Sequence, residues 1–324
     1  MARRKQPSRR TAGSIATQRF KHVAVVGAGV IGSSWTALFL AHGLRVTVYD
    51  PRPDVEDMVR NTLRQAAPAL KALGLPTVNL TRHLKFAHEL EDAVDGADVV
   101  QESATEDLGL KQHLFARISR IAGLKTLLLS SSSGFPATDI SKDMATPGRM
   151  LIGHPYNPPH LLPLVEVVPG ERTDPAAVAD AVAFYKALGK TPLVLRKEVP
   201  GFVINRLQAA FFRECVHLVR EGVVTVEELD MIVTNSMGIR WAAAGPFLSF
   251  HAGGGPGGLQ HFLEHIGPAF ERLWKVLGEP KFDPPMVGLL SAQAKRAFGK
   301  ISYEDLQRAR DRKQLAIMQA LRRN

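Results

Sequence analysis

His154 and Glu166 are two ionisable residues that lie in apolar runs and could together move a proton. Glu166 interrupts Leu164–Val168, a run typical of a buried strand, where a carboxylate is costly unless it is paired and hydrogen-bonded. His154 ends the preceding predicted strand, so neighbouring strand ends could bring the two side chains into contact. A carboxylate that orients a histidine and stabilises its imidazolium makes that histidine a general base. Two simpler interpretations stay open: Glu166 in a structural ion pair, and His154 bonded to turn backbone.

Polar residues that could surround a reacting oxygen occur at two further positions. Ser130–Ser133 directly follow a predicted strand, at a carboxyl end where open α/β sheets place ligands. Four serines also suit an ordinary turn. Asn205 lies on a predicted helix, where an asparagine more often faces water than a substrate.

A glycine-rich turn near the N-terminus predicts a dinucleotide site. It lies between a predicted strand, His22–Val26, and a predicted helix, Ile31–His42. In such a turn the first glycine allows the tight bend, the second lets backbone approach a pyrophosphate, and the third permits close helix–strand packing. The helix N-terminus adds N–H donors and a positive dipole. The residues of the turn are Gly27, Ala28, Gly29, Val30, Ile31 and Gly32.

The second predicted strand, Arg45–Tyr49, ends at an acid that indicates which dinucleotide binds. Asp50 stands where a carboxylate accepts hydrogen bonds from the ribose of NAD and repels the 2′-phosphate of NADP. Arg52, two residues later, is the competing signal, because an arginine near this loop can receive that phosphate. The sequence predicts NAD as the cofactor.

The elements around these residues predict a Rossmann-type, doubly wound and mainly parallel sheet followed by an all-helical domain. Short apolar runs alternate with helical segments as far as about Lys197, and this order is typical of α/β sheets. Beyond Pro200 the pattern is helical, with a Thr225–Glu228 capping box and one helix predicted over Leu259–Leu277. The predicted divisions are a disordered leader over 1–19, an NAD-binding domain over 20–198 and a helical substrate and dimerisation domain over 199–324.

Composition favours a cytoplasmic enzyme with no membrane or nucleic-acid partner. The formal net charge is +10, but seven lysines and arginines fall within the first 21 residues, which contain no acid. Basicity is therefore a property of the leader, which we interpret as a solvated extension; a polyanion-binding arm or a transit peptide is the alternative. The single cysteine, Cys215, excludes an internal disulfide framework. No apolar run reaches the roughly 18 residues of a membrane span, and no metal site is predicted.

These motifs resemble those of the L-3-hydroxyacyl-CoA dehydrogenase superfamily over roughly residues 20 to 322. The matching segments are Gly27–Gly32, Asp50, Glu102–Glu106, Ser130–Ser133, His154–Pro158, Glu166 and Pro200–Arg206. The resemblance implies that His154 is the catalytic base and Glu166 its partner, with Ser133 and Asn205 around the reacting oxygen. It also implies NAD contacts at Glu106, Lys111, Ser133 and Asn157, and a homodimer formed through the helical domain.

Within the superfamily the sequence is most similar to L-carnitine dehydrogenases, then to L-gulonate dehydrogenases of the lambda-crystallin type. The resemblance implies oxidation of a small free L-3-hydroxy acid, L-carnitine or a close relative. Leu248 departs from both groups, which usually carry glutamate there. Arg240 is the candidate cation for the substrate carboxylate. The candidate aromatic faces for a quaternary ammonium group are those of Phe212, Trp241, Phe247 and Phe250. For the aromatic residues, ordinary core packing is the simpler interpretation.

Three alternatives to this function stay open. One is an L-gulonate-type substrate, and another is a 3-hydroxyacyl-CoA thioester. Thioester enzymes of the superfamily carry a long helical arm after the second strand, whereas here one helix of about 20 residues, Pro53–Leu73, fits before the next strand near Leu84. That helix mixes basic and acidic residues and offers no strong phosphate-binding patch. The third alternative is a catalytically silent, crystallin-like NAD-binding protein.

Overall fold

A computed structural model describes residues 19–322, which belong to two compact units that divide between Asn205 and Arg206. The predicted leader lies outside the described residues except for Arg19, whose guanidinium pairs with Asp180. Across this described range, no helix combines the length and apolar character that a membrane crossing requires.

The first unit is built on one eight-stranded sheet with the order β3-β2-β1-β4-β5-β6-β7-β8. Strands β1 to β6 are parallel, β7 is antiparallel to β6, and β8 is parallel to β7. The predicted doubly wound, mainly parallel sheet is confirmed. The strands are β1 (His22–Val26), β2 (Arg45–Tyr49), β3 (Leu84–Ala87), β4 (Val99–Glu102), β5 (Leu127–Ser130), β6 (Met150–Pro155), β7 (Leu164–Pro169) and β8 (Thr191–Val194).

Helices cover both faces of this sheet. Successive strand residues point to opposite faces, so Val23 and Val25 of β1 join one core while Ala24 and Val26 join the other. Strands buried on both faces explain the continuous apolar runs of the sequence. The helices of this unit are α1 (Val30–Ala41), α2 (Val55–Ala72), α3 (Leu90–Val94), α4 (Leu108–Ile121), α5 (Ala137–Ile140) and α6 (Pro175–Ala187), with short 3-10 turns at Leu80–His83 and Pro147–Arg149.

The second unit is helical, as the sequence predicts. Its first helix, α7 (Ile204–Arg220), begins in the first unit and continues into the second. The predicted capping box is present, because the Thr225 hydroxyl accepts from the backbone of Glu228 while the Glu228 carboxylate accepts from Thr225 N–H. The remaining helices are α8 (Val226–Thr234), α9 (Met237–Ala243), α10 (Pro246–Gly253), α11 (Gly258–His265), α12 (Gly267–Trp274), α13 (Pro284–Phe298) and α14 (Tyr303–Arg322), with a 3-10 turn at Gly255–Gly257.

One predicted helix of this unit is wrong. The segment Leu259–Leu277 forms two helices, α11 and α12, that meet at Ile266. Pro268 has no N–H to donate and restricts the residue before it, so a continuous helix is unfavourable there. The same proline suits the first turn of a new helix, and α12 begins beside it.

Candidate functional site

The glycine turn has the geometry that a dinucleotide requires. Gly27 has a φ of +87°, and its N–H donates to Tyr49 O at 2.8 Å. A Cβ on Gly32 would lie 2.0 Å from Gly27 O, so this glycine permits α1 to approach β1. A Cβ on Gly29 would meet nothing within 4 Å. The space beside the start of α1 is therefore open, and no side chain from the described residues caps this helix end. Its N–H groups and dipole suit a pyrophosphate.

Asp50 lies next to this turn, at the end of β2. Its carboxylate accepts from Ala28 N–H at 2.8 Å and from the Arg52 guanidinium at 2.8 Å on each oxygen. Burial opposes ionisation of this carboxyl, but these hydrogen bonds hold the pKa of Asp50 below its usual value. A charged acceptor is thus present where the sequence places the ribose.

A network at the carboxyl ends of β4 and β5 links the buried Glu102 and Lys111 to the more exposed Glu106. Lys111 is 1% exposed, and its ammonium lies 2.7 Å from Glu102 and 3.3 Å from Glu106. Glu102 also accepts from Ser130 Oγ at 2.5 Å. The predicted contact of Lys111 with NAD stays a prediction, and in the structure this side chain serves the two carboxylates.

Glu106 fixes the loop that carries Ser133. Its carboxylate accepts from the Ser132 hydroxyl at 2.7 Å and from Ser133 and Gly134 N–H at 2.9 and 2.8 Å. Burial acts against ionisation, while these donors and Lys111 lower the pKa of Glu106. The carboxylate therefore orders the Ser130–Ser133 segment.

His154 and Glu166 face each other across the antiparallel pair of β6 and β7. His154 Nδ1 lies 2.8 Å from Glu166 Oε2, and both residues are at least 95% buried. Glu166 Oε1 accepts from Val203 and Ile204 N–H at 2.9 and 3.0 Å. Burial opposes the charge, but the histidine and the two backbone donors lower the pKa of Glu166. The carboxylate is charged near neutral pH, so Nδ1 is the donor and Nε2 is the basic nitrogen.

Asn205 and Ser133 also come together. Asn205 Nδ2 donates to Ser133 O at 3.1 Å, so the asparagine, in the first turn of α7, faces the serine loop and not only water. The preceding residues turn sharply, with φ values of +74° at Gly201 and +49° at the buried Phe202. The Phe202 ring centroid lies 5.5 Å from that of His154. Four predicted site residues are thus linked within the first unit as two pairs, His154 with Glu166 and Ser133 with Asn205.

The segment after His154 is held in place by a buried lysine, Lys190. Asn157 is exposed, and the peptide bond between Asn157 and Pro158 is cis. Lys190, 7% exposed, donates to the carbonyls of Pro159 and Leu162, the latter at 2.8 Å. Its ammonium lies 5.6 Å from the centroid of the Trp35 ring. Burial lowers the pKa of Lys190 to about 7.

The candidate substrate residues lie in the second unit. Arg240 is exposed, and Trp241 and Phe212 are 45% and 52% exposed. Phe250 is packed in an aromatic cluster with Phe262, at a centroid distance of 4.7 Å. Trp241 contacts Phe211 and Phe212 stacks on Phe282, so part of each face serves packing. Their role toward a substrate stays a prediction.

Three residues support the site in ways that the sequence does not predict: Glu102, Ser132 and Lys190. Glu102 is a carboxylate at the end of a strand of buried residues. A carboxylate in a buried strand is also the pattern that marks Glu166, so the sequence contains a signal for Glu102. Ser132 belongs to a run of four serines and cannot be distinguished from its neighbours by type. Lys190 lies just before an edge strand, where lysines are common, so only the fold shows that it is buried.

Two family models match the chain. Residues 22–199 match the 3-hydroxyacyl-CoA dehydrogenase NAD binding domain, and residues 201–288 match the C-terminal domain of the same family. The L-carnitine dehydrogenase of Streptomyces coelicolor is 44% identical over 303 residues, which cover 94% of this chain and 95% of that protein. That of Pseudomonas aeruginosa is 42% identical over 93% of this chain and 94% of its own length.

Solved structures agree with the sequence matches. The NAD⁺-dependent dismutase 5-formyl-3-hydroxy-2-methylpyridine 4-carboxylic acid 5-dehydrogenase superposes with a TM-score of 0.79 at 32% identity, covering 94% of this chain and 99% of that one. The (S)-3-hydroxybutyryl-CoA dehydrogenase of Ralstonia eutropha gives a TM-score of 0.61 at 25% identity, covering 84% and 94%. The chain therefore belongs to the 3-hydroxyacyl-CoA dehydrogenase family and is an NAD-dependent oxidoreductase.

Proposed function

We propose that this enzyme oxidises a small free L-3-hydroxy acid, L-carnitine or a close relative, to the 3-keto acid. The observation that carries the proposal is the buried His154–Glu166 pair on adjacent strands, with Ser133 and Asn205 joined in the same unit. The likeness to L-carnitine dehydrogenases over more than nine-tenths of the chain favours carnitine within this class.

In this mechanism His154 takes the proton of the substrate hydroxyl at Nε2. Glu166 holds Nδ1–H and offsets the positive charge of the imidazolium as it forms. The Ser133 hydroxyl and the second Nδ2 hydrogen of Asn205 donate to the oxygen that becomes the ketone. NAD, held by the glycine turn and Asp50, would supply the redox chemistry as the acceptor of the hydride from C3.

The turn after β1 and the end of β2 are the groups proposed to hold the cofactor. Backbone N–H groups at the start of α1 receive the pyrophosphate, and Asp50 accepts from the ribose. Glu106 and Asn157 are proposed further contacts. Lys111 acts in this scheme through Glu106, since its own ammonium is buried between two carboxylates.

A free acid fits this chain better than a thioester. Between β2 and β3 the structure has one 18-residue helix, α2, and one 3-10 turn, and no long helical arm. The two acids in the first turn of α2, Glu56 and Asp57, offset two of its three basic residues, and Arg60 already lies 3.4 Å from Glu56. Little positive charge is left there for the phosphates of coenzyme A.

A substrate panel tests this function. NAD reduction is measured with L-carnitine, L-gulonate, L-3-hydroxybutyrate and L-3-hydroxybutyryl-CoA, and kcat/KM is compared. We expect L-carnitine or a close relative to give the highest value. A thioester that is tenfold better than every free acid would refute the proposal. No turnover with any hydroxy acid, together with intact NADH binding, would favour the silent, crystallin-like alternative.

The panel also tests the departure at Leu248, which is 60% exposed on α10. L-carnitine and L-3-hydroxybutyrate differ in the cationic head group. If aromatic faces replace the missing glutamate, the trimethylammonium group gains up to about 2 kcal/mol when desolvated, or about thirtyfold in kcat/KM. Equal values for the two substrates would show that the cation is not recognised.

We also propose that the enzyme is a cytoplasmic homodimer. The single cysteine fits a reducing compartment. The second unit exposes several large apolar side chains, among them Phe247, Leu273 and Trp274, each more than half exposed. Apolar exposure on this scale marks an interaction surface, and a second copy of the chain is the partner that the family resemblance implies.

A further inference from the structure

The hydrogen-bonding capacity of Asp50 is fully used. An ionised carboxylate offers about four acceptor sites. Two are taken by backbone groups, Ala28 N–H at 2.8 Å and Arg52 N–H at 3.1 Å. The other two are taken by the Arg52 guanidinium, through Nε and Nη2 at 2.8 Å each. A ribose diol that binds to Asp50 must therefore displace one or more of these donors.

Only the guanidinium can leave without disturbing the fold. Ala28 belongs to the glycine turn, and the Arg52 N–H belongs to the backbone three residues after the end of β2. The Arg52 side chain is 41% exposed, whereas that of Asp50 is 7% exposed. Its other contacts are weak, a Met58 sulfur 3.3 Å from Nη1 and the more distant charge of Asp54. A side chain in this position can move into solvent while its charge remains near the ribose.

We propose that Arg52 is a specificity-determining residue for the cofactor, because it competes with the ribose diol for Asp50 and offers a cation to a 2′-phosphate. Both effects make the preference for NAD over NADP weaker than it would be if Asp50 were present without Arg52. The bidentate geometry matters, since a guanidinium that matches a carboxylate also matches a phosphate. The inference rests on the use of NAD by this family and not on the identity of the hydroxy acid.

The decisive measurement is cofactor binding without substrate. Dissociation constants for NADH and NADPH are determined by fluorescence titration for the wild type, Arg52→Ala and a matched control, Arg60→Ala. Arg60 is a similarly exposed arginine of α2 that pairs with Glu56. Arg60→Ala breaks an exposed ion pair, which contributes little to stability. Arg52→Ala leaves the Asp50 carboxylate with its two backbone donors, Ala28 and residue 52 N–H, so this variant is also expected to fold. Thermal unfolding checks both. Failure of the proposed hydroxy-acid activity would not affect this experiment.

We expect Arg52→Ala to bind NADH about threefold more tightly and NADPH about tenfold more weakly, as loss of one charge contact predicts. Arg60→Ala is expected to change the ratio of the two constants less than twofold. The proposal is overturned if Arg52→Ala leaves that ratio unchanged. This includes the case in which NADH and NADPH binding weaken equally, as loss of a contact with adenine would cause.

A second pair of variants tests the phosphate role directly. In Asp50→Ser the guanidinium loses its carboxylate, and NADPH is expected to bind at least as tightly as NADH. Asp50→Ser combined with Arg52→Ala is expected to lose this gain and to bind NADPH about tenfold more weakly than Asp50→Ser alone. Equal NADPH affinity in these two variants would show that Arg52 does not receive the phosphate.

Discussion

Glu166 makes contacts to two parts of the first unit at once. One oxygen holds His154 Nδ1, and the other accepts from the backbone N–H groups of Val203 and Ile204 at the start of α7. The negative charge is favourable at this helix end. The carboxylate that orients the histidine therefore also anchors the helix that carries Asn205.

His154 is the residue on which the proposed proton transfer depends. We expect His154→Gln to lower kcat by two or more orders of magnitude, because general base catalysis contributes about 10²- to 10⁴-fold. NADH binding, measured by fluorescence, should change little. His113→Gln makes the same replacement at an exposed histidine of α4 and serves as the control. Near-normal turnover of His154→Gln would contradict the assignment.

Lys190 gives the enzyme a stability that depends on pH. Burial lowers its pKa from 10.5 to about 7, and its hydrogen-bond acceptors are the carbonyls of Pro159 and Leu162, not carboxylates. Between these values the unfolded chain binds a proton that the folded protein does not. The unfolded state thus binds more protons, so this group makes folding more favourable as pH rises from about 7 to 10.

Lys190→Met removes this pH dependence. Relative to the variant, the wild type is expected to gain up to about 1.4 kcal/mol of unfolding free energy per pH unit above pH 7. Urea unfolding at pH 7.5, 8.5 and 9.5 measures the difference. This range avoids His42, whose own pKa is lowered to about 4 by burial and by the charge of Lys190. A difference that is constant or decreases with pH would contradict the expectation.

Among the elements, the turn between β1 and α1 contains one glycine needed for folding and another needed for cofactor binding. Gly32 allows the helix to pack on the strand, whereas Gly29 borders open space. The two glycines lie only three positions apart in the chain. Their roles differ because only one of them faces the backbone of Gly27.

Replacing each glycine with alanine tests this division. Gly32→Ala places a Cβ 2.0 Å from Gly27 O, so we expect it to destabilise the fold by about 1–3 kcal/mol through overpacking and to impair NADH binding. Gly29→Ala meets no atom within 4 Å, so its melting temperature should be unchanged while the added methyl group weakens NADH binding. Thermal unfolding and NADH titration distinguish the two. Equal melting temperatures of the two variants would refute the division.

At the scale of the whole molecule, the exposed apolar surface of the second unit accounts for the proposed homodimer. Leu273→Glu combined with Trp274→Glu is expected to shift the protein from dimer to monomer, because charges at the core of an interface are strongly unfavourable. Leu124→Glu, at a leucine of the first unit that is 81% exposed, is the control and should remain dimeric. Sedimentation at micromolar concentration measures the oligomeric state of each variant. A wild-type monomer would contradict the proposal.

The sequence by itself determined the kind of fold and the kind of site. Apolar runs such as Val23–Val26, buried on both faces, require a parallel sheet covered by helices. Glycines at fixed spacing between a strand and a helix indicate a dinucleotide turn, because Gly27 and Gly32 have no room for a Cβ and Gly29 leaves space for the cofactor. The capping box at Thr225 was equally readable. These signals are local, since residues close in the chain produce them.

Tertiary structure alone decided which distant side chains meet. The sequence allows contact between His154 and Glu166 on neighbouring strands, and the antiparallel register of β6 and β7 places the two residues opposite each other. Register is fixed by which strand faces are buried and by the geometry of the connecting loop, so the types and spacing of two residues do not by themselves show that they pair. The burial of Lys190 beneath the carbonyls of Pro159 and Leu162 is of the same kind. Each depends on the positions of atoms that the fold brings together, and residue type and spacing alone do not specify those positions.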